Sequence, residues 1–307
     1  MLARPMDVLT MFPVRKTKQQ KQAFRDAVQS YLEALDYPVT IESGSWGSKN
    51  VVIGDPKNAK YLVTAHYDTP ARLPFPNLIT PCNVVPYVIY QMFVVLAILT
   101  VSVALDVFVV SLGGIRSHTH WGSSYIWIIC LLMFFGPANP HNANDNTSGV
   151  VTLLEIARTM PENQRYKVCF VLFDLEEAGL IGSASFRKAH KKETDQQIIL
   201  NLDCVGDGDH ILMFPTKKLK KDRKKLTSLY KACGYFGPKS ILVREKGFSV
   251  YPSDQGNFPY GVGICALKKS KFGLYLGKIH TKKDTVLEET NVNILRAALT
   301  TYICCDS

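Results

Sequence analysis

Two adjacent carboxylates, Glu176 and Glu177, follow a short apolar run at residues 170–173. Successive side chains of a regular strand point to opposite faces, so both carboxylates can reach one site only if the chain turns as it leaves the strand. Gly179 permits such a turn, because glycine adopts backbone conformations that other residues avoid. Ligands of open α/β sheets bind beyond the carboxyl ends of the strands, where this pair could hold a metal ion and move a proton. Alternatively, both carboxylates could cap the N-terminus of the next helix.

Four other stretches carry residues that commonly bind metals. His66 and Asp68 follow a predicted strand at residues 61–64 and lie two positions apart, so they point to the same face. Asp145 lies in the polar loop 142–149, which precedes an apolar helix predicted over 150–160. Asp203 lies at the tip of a strand predicted over 198–203, and His280 lies in the polar segment 278–285. Histidine and carboxylate side chains without cysteine suit divalent ions such as zinc, cobalt or manganese.

Six segments, in this order, are similar to those of a known family: AHYDT, NANDNTSG, FVLFDLEEAGLIGS, NLDCVGDGD, SDQGNF and IHTKKDT. They resemble the di-zinc exopeptidases of the bacterial leucyl-type aminopeptidases, metallopeptidase family 28. The resemblance covers most of the chain outside residues 84–136. It departs from the family at Gln255, where the family segment often has histidine.

The resemblance implies two metal ions, most simply Zn²⁺, and a set of five ligands. In this set His66 and Asp203 bind one ion, Glu177 and His280 bind the other, and Asp145 bridges both. Two metals about 3.5–4 Å apart can activate a water and hold the carbonyl oxygen of the scissile bond. Without metals the packed carboxylates would repel one another, so we expect one or more of their pKa values to rise.

The resemblance also implies two residues that act without binding metal. Glu176 would be the general base, which takes a proton from the attacking water and passes it to the leaving amine. Asp68 would accept a hydrogen bond from the second ring nitrogen of His66 and so fix its tautomer.

The rest of the chain predicts one large α/β domain with an insertion. Its 307 residues are 47% hydrophobic and 20% charged, enough for a single large core. We expect an amphipathic helix over 17–35, a hairpin from 39–41 and 51–53, and strands over 168–173 and 262–267. Strands that alternate with helices favour a mostly parallel, twisted and mixed sheet flanked by helices, which the resemblance identifies as the zinc-exopeptidase, phosphorylase/hydrolase-like fold.

The composition changes sharply between the His66 strand and the Asp145 loop. Residues 87–105 carry no charge, and such a helix is about 28 Å long, close to the hydrocarbon thickness of a bilayer. A second apolar run, 121–135, would reach only about 22 Å. We therefore divide the chain into a catalytic domain over 1–83 and 137–307 and an inserted helical hairpin over 84–136, which we expect to cross a membrane. A soluble hydrophobic lid or dimer arm is the alternative.

Two features of the charged and terminal sequence bear on location. The chain has a net charge of +10, much of it in the basic run 217–225, which could rest on anionic lipid. No stacking aromatic residues interleave with this run, so we expect no nucleic-acid partner. Residues 1–15 lack the apolar core of a secretory signal, and the eight cysteines form no CxxC pair. We therefore expect a two-span anchor with the catalytic domain on the cytoplasmic side.

Taken together, the sequence favours a membrane-anchored zinc aminopeptidase. Peptides, including hydrophobic ones that partition into lipid, would be its substrates, and a homo-oligomer is compatible with the sequence. Two alternatives stay open: a glutaminyl-cyclase-like acyltransferase with a single zinc, and a non-catalytic receptor or scaffold on the same fold.

Overall fold

The computed structural model describes residues 2–73, 75, 77–112, 127, 131, 135–247, 249–271 and 273–305. Its strands are β1 (Val39–Ser43), β2 (Lys49–Ile53), β3 (Tyr61–His66), β4 (Val168–Phe173), β5 (Ile198–Leu202), β6 (His210–Pro215), β7 (Gly234–Phe236), β8 (Lys239–Val243), β9 (Gly261–Ser270) and β10 (Gly273–Tyr275). They form one sheet in the order β1-β2-β4-β3-β5-β9-β6-β8-β7, with β10 paired to β9.

The α-helices of the described residues come before, between and after these strands in the chain. They are α1 (Val8–Met11), α2 (Lys18–Glu33), α3 (Val84–Ser111), α4 (Ser148–Thr159), α5 (Ile181–Ala189), α6 (Lys191–Thr194), α7 (Lys217–Lys221), α8 (Arg223–Leu229) and α9 (Glu289–Cys304). A large sheet flanked by helices confirms the predicted α/β class.

The centre of the sheet is parallel, and an antiparallel pair joins it to each flank. β4, β3, β5 and β9 run in one direction, whereas β2 joins β4, and β6 joins β9, in the opposite direction. His66 at the end of β3 lies beside Phe173 at the end of β4. The chain therefore leaves the central strands at a common edge, which we call the carboxyl edge.

Both faces of the central strands are buried. Phe170 and Leu172 of β4 belong to a core cluster with α2, α4 and α9, whereas Val171 and Phe173 belong to one with Phe186 of α5. A strand buried on both faces is apolar throughout rather than alternating, which explains why these strands read as continuous apolar runs.

Helix α2 confirms the helix predicted over 17–35. Its N-cap is Thr17, whose side chain accepts from the backbone N–H of Gln20, and the Gln20 side chain accepts in turn from Thr17 N. This reciprocal pair satisfies donors that the first helical turn leaves free. From the next turn, Lys21 reaches across and forms a buried ion pair with Asp174 at the end of β4.

Helix α3 covers the first apolar run of the insertion. It is about 42 Å long at the usual rise, and its residues 84–105 make it the one helix of the described residues that could cross a membrane by length and composition. Almost none of its side chains is buried. The second predicted run, 121–135, lies outside the described residues except for Trp127, Leu131 and Phe135, and the link 113–120 lies outside them entirely.

The two ends of the insertion are paired with each other. We call residues 70–73 and 77–83 the outgoing foot and residues 137–142 the returning foot. Ala71 and Ala138 form an antiparallel bridge, and Arg72 N donates to Pro137 O at 2.8 Å. The insertion therefore begins and ends at one place, beside the carboxyl edge.

A fully buried arginine, Arg15, connects the N-terminal segment to this edge. Its guanidinium donates to the carbonyl oxygens of Phe12 and Tyr67 and to the Thr147 hydroxyl. Burial lowers the pKa of Arg15 to about 10, so it remains charged at neutral pH. One side chain thus joins the exit of β3 to the loop before α4.

Replacing Arg15 with Met should lower the free energy of unfolding by about 1–3 kcal/mol, because buried carbonyl oxygens lose their donor. Denaturant unfolding of the detergent-solubilised protein measures this change. Arg158→Met is the matched control: Arg158 pairs with Glu155 on the surface of α4, and its loss should change stability by less than about 0.5 kcal/mol. Equal effects of the two substitutions would contradict the assignment.

Candidate metal centre

Glu176 and Glu177 lie in a tight turn beyond the end of β4. The carboxylate of Asp68 accepts from both of their backbone N–H groups, at 3.0 and 3.2 Å. This contact holds the turn that brings two consecutive side chains to one site. The helix-capping alternative is wrong, because α5 begins after Leu180 and has no side-chain cap.

Asp145 lies between the two histidines. Its Oδ1 is 3.4 Å from His66 Nε2, and its Oδ2 is 3.1 Å from His280 Nε2. Each carboxylate oxygen thus faces a different imidazole, which is the arrangement that a bridging ligand requires.

The remaining two predicted ligands fall on opposite sides of Asp145. Asp203 Oδ1 is 3.7 Å from His66 Nε2, and Glu177 Oε2 is 3.5 Å from His280 Nε2. The structure therefore brings all five predicted ligands together, as two sets that share Asp145.

Two further residues lie within reach of the set that contains His66. Donor atoms of His66, Glu176 and Asp203 all lie within 4.8 Å of one another, as do those of Asp145, Asp203 and Cys204. Cys204 directly follows Asp203 in the chain, but no motif of the sequence marked it as a candidate ligand. Burial, with the nearby carboxylates of Asp145 and Asp203, raises the pKa of its thiol well above the usual value.

Asp68 has a different partner from the one predicted. Its carboxylate is 3.6 Å from His66 Nδ1, which is too long for a hydrogen bond, and its backbone carbonyl oxygen is nearer, at 3.3 Å. Its hydrogen bonds go to the turn of Glu176 and Glu177 instead. In this structure Asp68 chiefly orders that turn.

Asp284 plays the same part for the Asp145 loop, although it was not among the candidate residues of the sequence. Its carboxylate accepts from the backbone N–H groups of Asn144 and Asp145, at 2.8 and 3.0 Å. Burial, together with the Asp145 charge, raises the pKa of Asp284 to about 7. The only signal in the sequence was its place in the segment IHTKKDT.

The electrostatics of the site confirm the expected repulsion. Burial, with carboxylate neighbours including Asp203, raises the pKa values of Glu176 and Glu177 well above their usual range. Burial has the same effect on Asp145, but hydrogen bonds from His280 and His66 outweigh it and hold the pKa of Asp145 below its usual range.

The chemistry of these residues fits divalent metal ions. Glu177 Oε1 is buried and has no hydrogen-bond partner among the described residues, which costs free energy that a cation would recover. Two imidazoles and three carboxylates are donors that Zn²⁺ accepts. Both oxygens of the buried Asp254, near Glu176, also lack a hydrogen-bond donor among the described residues.

A pocket of about 280 Å³ opens over the centre. Besides the five ligands and Glu176, its wall includes the apolar side chains of Ile79, Leu180, Tyr251 and Ile279. Gln255 has no place in this wall: its amide donates to Tyr251 O and accepts from Asn201 Nδ2. His141, which precedes the Asp145 loop, is exposed.

The fold is shared with solved enzyme structures. The LapA aminopeptidase of Legionella pneumophila aligns with a TM-score of 0.60 at 16% identity, over 98% of this chain and 70% of that one. A Zn-dependent exopeptidase from Parabacteroides distasonis gives 0.60 at 16%, over 98% and 95%. The glutaminyl cyclase of Fimbriiglobus ruber gives 0.56 at 15%, over 98% and 93%. At these identities the likeness establishes the fold alone.

No curated protein sequence matches the chain significantly. The family model described as Peptidase family M28 matches residues 117–302. That range includes Asp145, both glutamates, Asp203 and His280, and it leaves His66 outside. Because it spans more than half of the chain, the protein belongs to peptidase family M28 and is a metallopeptidase of the zinc-dependent type.

Proposed function

We propose that this protein is a membrane-anchored aminopeptidase that uses two metal ions, most simply Zn²⁺. The observation that carries this proposal is the position of Asp145, whose two oxygens face two different histidines. His66 with Asp203, and His280 with Glu177, then complete two binding sites that share one carboxylate. When bound, the two ions would lower the pKa of a water between them and polarise the scissile carbonyl group.

Glu176 is the proposed general base. It lies within 4.8 Å of donor atoms of His66 and Asp203, and it is not one of the five proposed ligands. The Asp68 carboxylate holds its backbone in place. From there it would take the proton of the attacking water and deliver it to the leaving amine.

An exopeptidase is favoured over the two alternatives. A single-zinc cyclase would need only one of the two ligand sets, and this chain has both. A receptor or scaffold has no chemical need for Glu176 in addition to five convergent ligands. Turnover of peptides with a free N-terminus, and not of N-terminally blocked peptides, would support an aminopeptidase. Release of ammonia from peptides that begin with glutamine would instead support a cyclase.

Glu176→Gln should keep both metals but lower kcat by about 10²–10⁴-fold, because it removes the base and leaves the ligands. Peptidase assays combined with metal analysis of the same samples check this result. Glu162→Gln, at an exposed glutamate before β4, is the control and should leave kcat unchanged. A Glu176→Gln enzyme with normal kcat and both metals bound would show that Glu176 is not the general base.

Asp145→Ala should lower the occupancy of both metals, because it removes the one carboxylate that both sets share. Plasma mass spectrometry of the dialysed protein gives the stoichiometry. Metal chelation should lower the melting temperature of the wild type and have little effect on the variant, since ligands that bind only the native state stabilise it. Asp26→Ala, at an exposed position on α2, is the control. If only one metal were lost, the bridge would have to be reassigned.

The membrane part of the proposal rests on the exposed apolar helix α3 and on the pairing of the two feet. Because Ala71 and Ala138 are directly bridged, both ends of the insertion would lie on the same side of a bilayer. An even number of crossings satisfies this condition, which supports the two-span anchor over 84–136. The metal centre would then lie near the membrane surface, within reach of hydrophobic peptides that partition into lipid.

The basic run 217–225 does not lie at the carboxyl edge with the metal centre and the two feet. Pro215 at the end of β6 pairs with Val262 near the start of β9, so the run follows at the edge of the sheet opposite the metal centre. The basic run would therefore contribute little to electrostatic attraction between the protein and lipid beside the feet. Anchoring would depend on α3.

Replacing residues 84–136 with a short Gly/Ser linker should release the protein from membranes, because α3 supplies the apolar surface. Fractionation without detergent checks this, and the wild type is the control. The variant should also lose its advantage on long apolar peptides in liposomes relative to short polar ones. An intact protein found wholly in the soluble fraction would contradict the anchor.

Thiol labelling of intact and lysed cells tests the proposed cytoplasmic location of the catalytic domain. Cys305 is an exposed free thiol at the end of α9. A membrane-impermeant maleimide should label it in lysed cells and leave it unlabelled in intact cells. Labelling in intact cells would place the body outside.

A further inference from the structure

The loop that carries His280 is held by both feet of the insertion. From the outgoing foot, Leu73 N donates to His280 O at 2.8 Å, and Ile79 and Leu276 exchange two backbone hydrogen bonds at 2.8 and 3.0 Å. From the returning foot, Asn139 Nδ2 donates to Thr281 O at 3.0 Å. The carbonyl oxygens of His280 and of the next residue are thus bound by opposite feet.

The backbone of His280 needs such support. Its φ is 63°, in the left-handed region that residues with a Cβ rarely adopt. A conformation of this kind persists only where surrounding contacts determine it. The hydrogen bonds from Leu73 and Asn139 are contacts of that type, because they fix the two peptide groups that follow the strained position.

Asn139 is the residue that joins all three segments. Its backbone N–H donates to Pro70 O of the outgoing foot at 2.9 Å, and its Oδ1 accepts from His141 N at 3.2 Å. Its Nδ2 donates both to His141 O and to Thr281 O. The side chain is fully buried, so water cannot replace these partners.

We propose that Asn139 is a positioning residue for the second metal site, and that the feet of the insertion hold His280 where it can bind metal with Glu177. This inference rests on the ligand roles proposed above. It makes the insertion part of the metal site as well as an anchor. His66 lies at the end of a central strand, where pairing with β4 holds its backbone, so the first site should be independent of Asn139.

Asn139→Asp tests this inference, because a carboxylate cannot donate to Thr281 O while its size stays the same. The matched control is Gln197→Glu. Gln197 is also buried, and its Nε2 donates to two carbonyl oxygens, those of Pro56 and Ala59, at 2.6 and 2.7 Å. It lies before β5, at the opposite edge of the sheet. Both substitutions therefore exchange a buried amide for a carboxylate.

Leu73→Pro is an independent second variant, since proline lacks the N–H that His280 O accepts. Each full-length protein is titrated with zinc in a buffered range of free concentrations, and bound zinc per chain is measured. We expect two ions in the wild type and in Gln197→Glu. In Asn139→Asp and Leu73→Pro the second ion should bind about 10–100-fold more weakly, the usual effect of losing a group that orients a ligand.

The outcomes separate this inference from the proposed function. Two ions bound with wild-type affinity in either folded variant would overturn the positioning role and leave the ligand assignment intact. Equal weakening of both ions would also overturn it, because Asn139 would then support the whole fold. A wild-type protein that binds fewer than two ions would overturn the proposed function itself.

Discussion

The structure depends on the electrostatics of one crowded cluster at the carboxyl edge of the sheet. Four carboxylates, Asp145, Glu176, Glu177 and Asp203, converge on two imidazoles in a buried space. Glu176 and Glu177 are protonated more readily than free glutamates because burial and like charges disfavour their ionised forms. The cluster is therefore incomplete as a purely protein structure, and bound cations would remove both the repulsion and the unpaired buried oxygens.

Two other aspartates hold the cluster together without being proposed ligands. Asp68 accepts from two consecutive backbone N–H groups at the Glu176–Glu177 turn, and Asp284 accepts from two at the Asp145 loop. Burial disfavours the ionised form of Asp68, but the histidine and lysine charges beside it outweigh burial and hold its pKa below the usual value. Hydrogen bonds to such an ionised acceptor are among the stronger ones in proteins. The irregular turns that carry Glu177 and Asp145 thereby gain the rigidity that metal ligands need, which the ends of regular strands provide to His66 and Asp203.

The insertion is built into this same edge. It lies in the chain between the strand that carries His66 and the loop that carries Asp145. Its feet pair with each other and with the His280 loop. The membrane anchor proposed above would lie close to the mouth of the metal pocket for this reason. The position of the proposed anchor and the access of substrate to the pocket would then both follow from the point in the chain at which the insertion occurs.

The local pattern of the sequence was enough to identify most of the framework. The sequence pattern predicts helix α2 and the strands over 61–66 and 168–173, because helical periodicity and burial on both faces leave short-range signals. It also shows the acidic and histidine residues that follow the strand ends. The resemblance of six segments to a known family singled out the five residues that converge in the metal centre, and it also supplied their roles.

Only the tertiary structure decided how these pieces are held. Asp68 and the Glu176 backbone are 108 positions apart, and Asn144 and Asp284 are 140 apart, so no local pattern records their contact. The same is true of the contacts that Arg15 makes with the Asp145 loop, that Gln255 makes inside the fold, and that Asn139 makes with both feet. These residues are buried polar groups whose hydrogen bonds form only when the sheet brings distant loops to one edge. The linear sequence contains the groups but does not show which of them will be in contact.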